Sequence, residues 1–464
     1  MVKNTTLLYN QIGFPILFFL FCFVAADLAG QIVRPNVLVI MTDDQGWGDV
    51  SYHGTRDIET PNIDALAKSG IILTNFHANS SVCSPSRASL LSGRYPCRVG
   101  VPGVIRDFDS GNMGFLHPSA TLLSNRLQES GYHTALVGKW HLGIESPNLP
   151  NDRGFDHFHG WLTGMMNNYW QHTQRDINYL RLNREEVNGD SIHATDLFTN
   201  WANDYLEGGK GHREPFFLYL AYTAPHDPIQ PPQEWLDKVL EREKKTDTAR
   251  ARLVALVEHL DWNIGRVIQK LNEQDMLENT VIFFLSDNGG ALKYHADNGP
   301  YRDGKTSMYQ GGLRVPALVN WKGHLEGGKT LTSLLLTMDI FPTILEITGQ
   351  TIPDDIDSKS FYKDLQNPLN KYELGEWDSR YFARRESFSD AGQVNQAVIM
   401  ENYKLVQNDP FGPLELYDIL ADPYEKNNLL ENPGDETLKI FNKLRNRLRK
   451  HTQACGSVPW QQPH

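Results

Sequence analysis

Cysteine is scarce, at four residues in 464: Cys22, Cys83, Cys97 and Cys455. So low a number excludes a small domain stapled by disulfides, and no His/Cys group has the spacing of a zinc site. Long apolar runs are lacking beyond the first thirty residues, which excludes a membrane-spanning helix in the body of the chain. Basic charge is not in excess: 44 Lys and Arg stand against 56 Asp and Glu, for a net charge of −12. A nucleic-acid binder presents a basic face, so that class is excluded. An anionic substrate is not, because a few convergent cations reverse the field inside one cleft. Internal repeats and low-complexity tracts are also missing.

Residues 1–29 read as a secretory signal. Lys3 supplies positive charge, "FPILFFLFCFVAA" (14–26) is apolar but short for a bilayer span, and Ala25 and Ala26 suit a signal peptidase. Bulky Phe21 before Cys22 argues against a lipid anchor. The mature protein is therefore expected to be secreted or periplasmic, with no membrane association after cleavage. It keeps three cysteines, so at least one lacks an intramolecular partner; Cys97–Cys455 is the pairing considered.

The hydrophobic share of 40% and charged share of 22% are ordinary for a globular protein. Four apolar, β-rich runs each end in polar or charged residues. "NVLVIM" (36–41) leads to Asp43 and Asp44, and "HTALVG" (133–138) to Lys139 and His141. "PFFLYLAYT" (215–223) leads to His226, and "VIFFLS" (281–286) to Asp287 and Asn288. Helical patterns at 62–69, 120–130, 193–207, 249–273 and 338–348 alternate with them. The expected fold is α/β, a large mixed but mostly parallel sheet flanked by helices, spanning 30–352. In such sheets the functional crevice lies outside the carboxyl ends of the strands, so four strand ends deliver polar groups to one place. From 353 to 464 the texture changes. Strand-like runs at 380–386, 396–407 and 414–419 and a helical period over 435–451 predict a smaller α+β subdomain, an antiparallel sheet with a terminal helix.

Asp43, Asp44, Asp287 and Asn288 offer oxygen ligands, which suit a hard cation, Ca2+ or alternatively Mg2+. Lys139, His141, His226, Lys305 and Arg87 supply donors of the kind a tetrahedral oxyanion needs on several sides. The stretch "SVCSPSRASLLSGRYP" (81–96) reads as a short helix, with Pro85 in an opening position and Gly93 as its stop. Cys83, just before its first turn, is open to four readings: half of a disulfide, a thiolate nucleophile, a metal ligand, or a residue destined for modification.

These blocks resemble the formylglycine-dependent sulfatases of the alkaline phosphatase superfamily. "CSPSRASLLSGR" (83–94) matches the family's C-x-P-x-R motif with its trailing L-x-G-R. "GKWHLG" (138–143), "SDNGG" (286–290), "GGLRVP" (311–316) and "LYDILADPYEKNNL" (416–429) match further blocks. The resemblance implies that a separate maturation enzyme converts Cys83 to Cα-formylglycine. The hydrated aldehyde would then offer one hydroxyl to attack sulfur, with Arg87 favouring its ionised form. The other hydroxyl, deprotonated by His141, would expel sulfate. It implies Asp43, Asp44, Asp287, Asn288 and residue 83 as metal ligands, and Lys139, His226 and Lys305 as groups holding the sulfate. His226, or else Lys305, would protonate the leaving oxygen. Asp303 departs from the pattern close to Lys305.

The expected substrate is a carbohydrate sulfate ester, such as a sulfated polysaccharide or its oligosaccharides, with a marine galactan such as carrageenan as one candidate. "FDHFHGWLTGMMNNYWQHTQRDINYLR" (155–181) is either a sugar-lining segment or a loop packed by its aromatics. Competing readings are a phosphate- or phosphonate-ester hydrolase of the same superfamily, a non-catalytic polysaccharide-binding homologue, and a cysteine protease using Cys83 with His141 or His226.

Overall fold

A computed structural model of the protein describes residues 1, 34–107, 115–208, 214–243, 248–368, 379–386, 393–409 and 411–455. The expected signal, apart from Met1, and Cys22 lie outside the described residues.

Ten strands form the main sheet: β1 (Asn36–Thr42), β2 (Ile71–Leu73), β3 (His133–Lys139), β4 (His157–Trp161), β5 (Leu180–Leu182), β6 (Glu185–Glu186), β7 (Phe216–Ala221), β8 (Thr280–Ser286), β9 (Ala317–Asn320) and β10 (Lys329–Leu331). Their order is β10-β2-β9-β8-β1-β7-β3-β4-β5-β6. The five central strands, β8 to β4, run parallel, and antiparallel pairs enter on both flanks. The four apolar runs singled out in the sequence are neighbours at the centre. β1, β7 and β8 are buried at every position, as expected of strands covered on both faces.

Register explains why their polar ends converge. Thr42 pairs with Ser286, Met41 with Ala221, and Ala221 with Gly138. The residues that follow therefore leave the sheet along one rim. Helices α1 (Pro61–Ser69), α2 (Cys83–Ser92), α3 (Leu123–Glu129), α4 (Ala194–Gly208), α5 (Gln233–Arg242), α6 (Thr248–Glu273) and α7 (Ile340–Ile347) accompany the sheet. No helix among the described residues is long and apolar enough to cross a membrane.

A second, four-stranded antiparallel sheet holds β11 (Arg380–Glu386), β12 (Gln393–Met400), β13 (Tyr403–Gln407) and β14 (Glu415–Asp418), with α8 (Asp435–Cys455) packed on it through Leu444 and Leu448. The run 396–407, expected as one strand-like stretch, is a hairpin. Glu401, at φ +55, makes the turn, and Met400 pairs with Tyr403. The hydrophobic pattern continues through both strands, so composition alone does not mark the turn. Before this sheet, Phe361 and Leu365 still bury in the large core. Cys97 and Cys455 form a disulfide between the segment after α2 and the end of α8.

Candidate active site

Helix α2 begins at Cys83, two residues ahead of Pro85, because extended Val82 (φ −147) takes the N-cap. All ten of its residues are buried, although four are serines and one is arginine. Hydrogen bonds on three of the serines help to permit this, while Ser89 Oγ has no hydrogen-bond partner. Ser84 Oγ accepts from Ile105 N–H (3.0 Å). Ser86 Oγ accepts from Ser80 N–H (3.2 Å) and donates to its carbonyl (3.0 Å), while Ser92 donates to the Ala88 carbonyl. Leu90 and Leu91 enter the large core. Gly93 ends the helix at φ +66, where a Cβ would stand 2.8 Å from the Phe341 ring, so the stop read from the sequence is also a packing requirement.

The sheet rim delivers the acids to the start of this helix. Asp43, Asp44 and Cys83, together with His226, bring ligand atoms within 4.8 Å of one another. Asp44, at φ +66, receives Asn288 Nδ2 on Oδ1 (2.7 Å) and Lys305 Nζ on Oδ2 (2.6 Å). Asp287 Oδ1 accepts from Asp44 N–H (3.2 Å), and Oδ2 receives Arg87 Nε and Nη2 at 3.0 and 2.7 Å. Lys139 Nζ donates to Asp43 Oδ2 at 2.5 Å. The chain places all ten predicted site residues here, including Lys305, whose loop is tied in by Thr306 N–H to the Ser81 carbonyl and Lys305 N–H to the Gly290 carbonyl.

The site's charges are strongly perturbed. Burial alone pushes the Asp44 carboxyl up, but Lys305, His226 and Asn288 outweigh it and hold it well below the usual range. Asp287 is pushed up to about 6 by burial and by repulsion from Asp43, against the pull of Arg87. Asp43 and Asp44, with carboxylate oxygens at most 4.8 Å apart, repel by at least roughly 3.5 kcal/mol at an effective dielectric of ~20. Such crowding is bearable only with compensating cations. Lys305 is held protonated: burial opposes its charge, but Asp44 prevails. Three carboxylates (Asp43, Asp44, Asp287) balance three cations (Arg87, Lys139, Lys305).

The residues present fit a hard cation. Asp43 Oδ1 and Asn288 Oδ1 are buried without a hydrogen-bond partner, and orphaned acceptors of this kind are costly unless something cationic faces them. A divalent ion among these oxygens brings the balanced site to a net charge of about +2, matched to an anionic ester.

The two histidines are held neutral in defined tautomers. His141 Nε2 lies 2.8 Å from the Ile105 carbonyl, to which it must donate, so Nδ1, buried and without a partner, carries the lone pair. Burial, then Lys139 and Arg87, push its pKa well below the ordinary value. Gly164 supports that ring: a Cβ there would meet His141 Nε2 at 2.3 Å. His226 Nδ1 donates to the Asp227 carbonyl (2.7 Å), which leaves Nε2 to accept from Lys305 Nζ at 3.1 Å. Burial and Lys305 lower His226 to about 4. The proton nearest the site therefore sits on a Lys305–His226 pair rather than on His226 by itself.

Burial raises the Cys83 thiol above its usual range, with Lys139 only partly opposing. A protonated thiol is a poor nucleophile, which argues against the protease reading. The segment 155–181 packs chiefly as core: Phe155, Phe158, Trp161 and Tyr169 are at most 2% exposed. Its contribution to the site is support, through Gly164 and Tyr169, and no composition signal singled out either.

With this geometry established, comparison with known proteins is specific. The profile described as Sulfatase matches residues 35–350, and one described as N-sulphoglucosamine sulphohydrolase, C-terminal, matches 301–454. The chain is similar to the N-acetylgalactosamine-6-sulfatases of Homo sapiens (33% identical over 349 residues) and Mus musculus (32% over 349). Each alignment covers 70% of this chain but only 64% and 65% of the relative, slightly under two thirds of the curated protein's length. Among solved structures, Ps i-CgsB in complex with k-i-k-neocarrahexaose superposes with a TM-score of 0.78 at 29% identity, covering 89% of this chain and 92% of that one.

Proposed function

The chain belongs to the sulfatase family, and from that premise we propose that it is an exported enzyme hydrolysing sulfate esters of a carbohydrate. The observation that carries this reading is the buried junction at the N-terminus of α2. There residue 83 meets an oxygen-donor set with two orphaned acceptors, ringed by three cations. Asp43, Asp44, Asp287, Asn288 and residue 83 would hold Ca2+, or Mg2+, and a maturation enzyme would convert Cys83 to formylglycine. Together these groups supply Lewis acidity and a hydrated-aldehyde nucleophile in place of an inert thiol.

The chain's own side chains account for the rest. Lys139 and Lys305 hold the ester's free oxygens as charge builds on them, in a site dry enough to make each contact count. Arg87, fixed by two hydrogen bonds to Asp287, holds that carboxylate in place and adds positive potential beside residue 83. The Lys305–His226 pair passes a proton to the departing alcohol oxygen. His141 accepts a proton at Nδ1, the nitrogen its bond to Ile105 leaves free. Neutral imidazole is the form that role requires, and burial maintains it.

For substrate, N-acetylgalactosamine-6-sulfatase relatives and the neocarrahexaose-bound neighbour support a sulfated galactan or an N-acetylgalactosamine-containing polysaccharide, while one relative, at 31% identity, is named arylsulfatase. The 30–352 and 353–464 division we read as a catalytic domain and a smaller subdomain. The test is release of inorganic sulfate from a panel of sulfated galactan and glycosaminoglycan oligosaccharides, alongside phosphate release from matched phosphate esters. Sulfate release at least about a hundredfold faster supports the reading, and preferential phosphate release contradicts it.

A further inference from the structure

Tyr169 lies far from the linear motifs, yet it is tied to the turn that carries His226. Its phenol is 1% exposed. The hydroxyl stands 2.9 Å from the carbonyl of Thr223 and 2.9 Å from that of His226 itself. Thr223 and His226 are the two ends of one turn, closed by His226 N–H to the Thr223 carbonyl at 3.0 Å. One phenolic proton is therefore shared between both ends of that turn. The turn is held from the other side as well, because Asp43 N–H donates to the Ala224 carbonyl at 3.1 Å. Between Tyr169 and the backbone of a carboxylate-bearing strand end, the turn has little freedom.

Tyr169 is in turn anchored downstream of the turn. Its N–H donates to Gln230 Oε1 (3.0 Å), and its ring stacks on His193 at 4.9 Å. His193 Nε2 lies 3.0 Å from the Gln230 carbonyl. The whole stretch from Thr223 to Gln230 is thus clamped against one tyrosine. Burial raises its pKa, so the hydroxyl keeps its proton at any working pH.

We propose that Tyr169 is a positioning residue for proton delivery to the leaving group: by bonding the carbonyls of Thr223 and His226 it sets where the His226 imidazole stands relative to Asp44 and Lys305. This rests on the reading of His226 and Lys305 as the proton-delivering pair. A Lys305–His226 pair displaced by a fraction of an ångström keeps its positive charge but delivers its proton poorly, and misplacement of about 1 Å costs on the order of a hundredfold. The loss must grow as the leaving group becomes a weaker acid, since a good leaving group departs without protonation.

The test is Tyr169→Phe, which keeps the ring and the His193 stack. kcat/KM is measured across aryl sulfates from 4-nitrophenyl to 4-methoxyphenyl sulfate and on a carrageenan oligosaccharide, and the variant's crystal structure is determined. The expected result is a loss of about threefold or less on 4-nitrophenyl sulfate and about tenfold or more on the carrageenan oligosaccharide. The dependence on leaving-group acidity should steepen, and the Thr223–His226 turn should be displaced. Equal losses on all substrates, no loss, or an unmoved turn overturns the proposal. His226→Ala is run in parallel. If it shows no leaving-group dependence, the reading of His226 as part of the acid fails. If it does while Tyr169→Phe does not, only the role of Tyr169 fails.

Discussion

Two regions of this molecule bury ionised groups, and they do so to opposite ends. Where the smaller sheet meets the larger domain, Lys404 faces Glu425 at 2.7 Å with both side chains fully buried. Glu425 Oε2 also takes the Gln310 N–H (2.6 Å). Nearby, Asp339 accepts from Arg380 (2.8 Å), from Leu336 N–H (2.8 Å) and from Lys359 N–H (3.1 Å). Each acid in this seam has its own cation and at least one backbone donor, although Lys404 Nζ and Glu425 Oε1, in ionic contact, make no well-formed hydrogen bond. At the rim of the main sheet the charges also balance, but Asn288 Oδ1, His141 Nδ1 and Asp43 Oδ1, whose nearest cation is Arg87 Nη2 at 3.7 Å, are buried without a hydrogen bond. An ion pair in contact fixes geometry, whereas a cluster of acceptors delivered by several strand ends suits a bound cation. Burial of charge is common to both regions, and so are atoms without a hydrogen bond; what sets the rim apart is that ligand atoms of Asp43, Asp44, Cys83 and His226 gather within 4.8 Å of one another.

That contrast predicts different signatures for mutation. Cys83→Ala should abolish turnover, by at least about a thousandfold, with little change in melting temperature, measured by sulfate release and thermal unfolding. Retention of appreciable activity would place the chemistry elsewhere. Lys404→Ala should do the reverse, leaving Glu425 buried and uncompensated at a cost of about 3–5 kcal/mol in stability while activity per folded molecule stays near wild type. A selective loss of activity there would erase the distinction between seam and site.

A smaller effect sharpens it further. Adding Ca2+ or Mg2+ should raise the melting temperature, by a stabilisation of about 2.7 kcal/mol at a hundred times Kd, and Asp43→Asn should remove that response. Burial, then repulsion from Asp43, raises Asp287 to about 6, so the ion competes with a proton and the shift should be larger at pH 7 than at pH 5. A shift independent of pH, or one that survives Asp43→Asn, would put the ion elsewhere. The smallest effect is on the pH profile. Since burial, Lys139 and Arg87 depress the pKa of His141, its neutral form persists as pH falls through the ordinary histidine range. The acid limb of kcat/KM should therefore lie below about 6.5, and a limb at or above that value would contradict His141 as the base.

How much of this is legible in the chain alone divides along physical lines. The four central strands are readable because each is a continuous apolar run ending in charge, the pattern imposed by a strand buried on both faces. Their convergence follows from topology. The flanking strands, several only two to four residues long, carry too few residues for any period to register. Cys83 reads in the sequence as lying just before the first turn, whereas the helix opens at Cys83 itself, because extended Val82, not a polar side chain, takes the N-cap. The aromatics of 155–181 suggest a sugar pocket or a packed loop, and they are mainly core. Composition cannot separate these, since a ring that stacks on a sugar and one that packs on a strand look alike in sequence. Tyr169 is invisible as an individual for a related reason: its role lies in a hydroxyl reaching two backbone carbonyls 54 and 57 residues away. The Cys97–Cys455 bridge spans 358 residues, and over such a distance spacing names a pairing to consider without selecting it.

The most direct measurement is peptide mapping by mass spectrometry of residue 83 in protein purified from a host able to mature it. The account predicts that the peptide carries an aldehyde in place of the thiol, reacts with a hydrazine probe and resists alkylation by a thiol reagent. A peptide in which position 83 is fully alkylated, from protein that nonetheless releases sulfate, would contradict it.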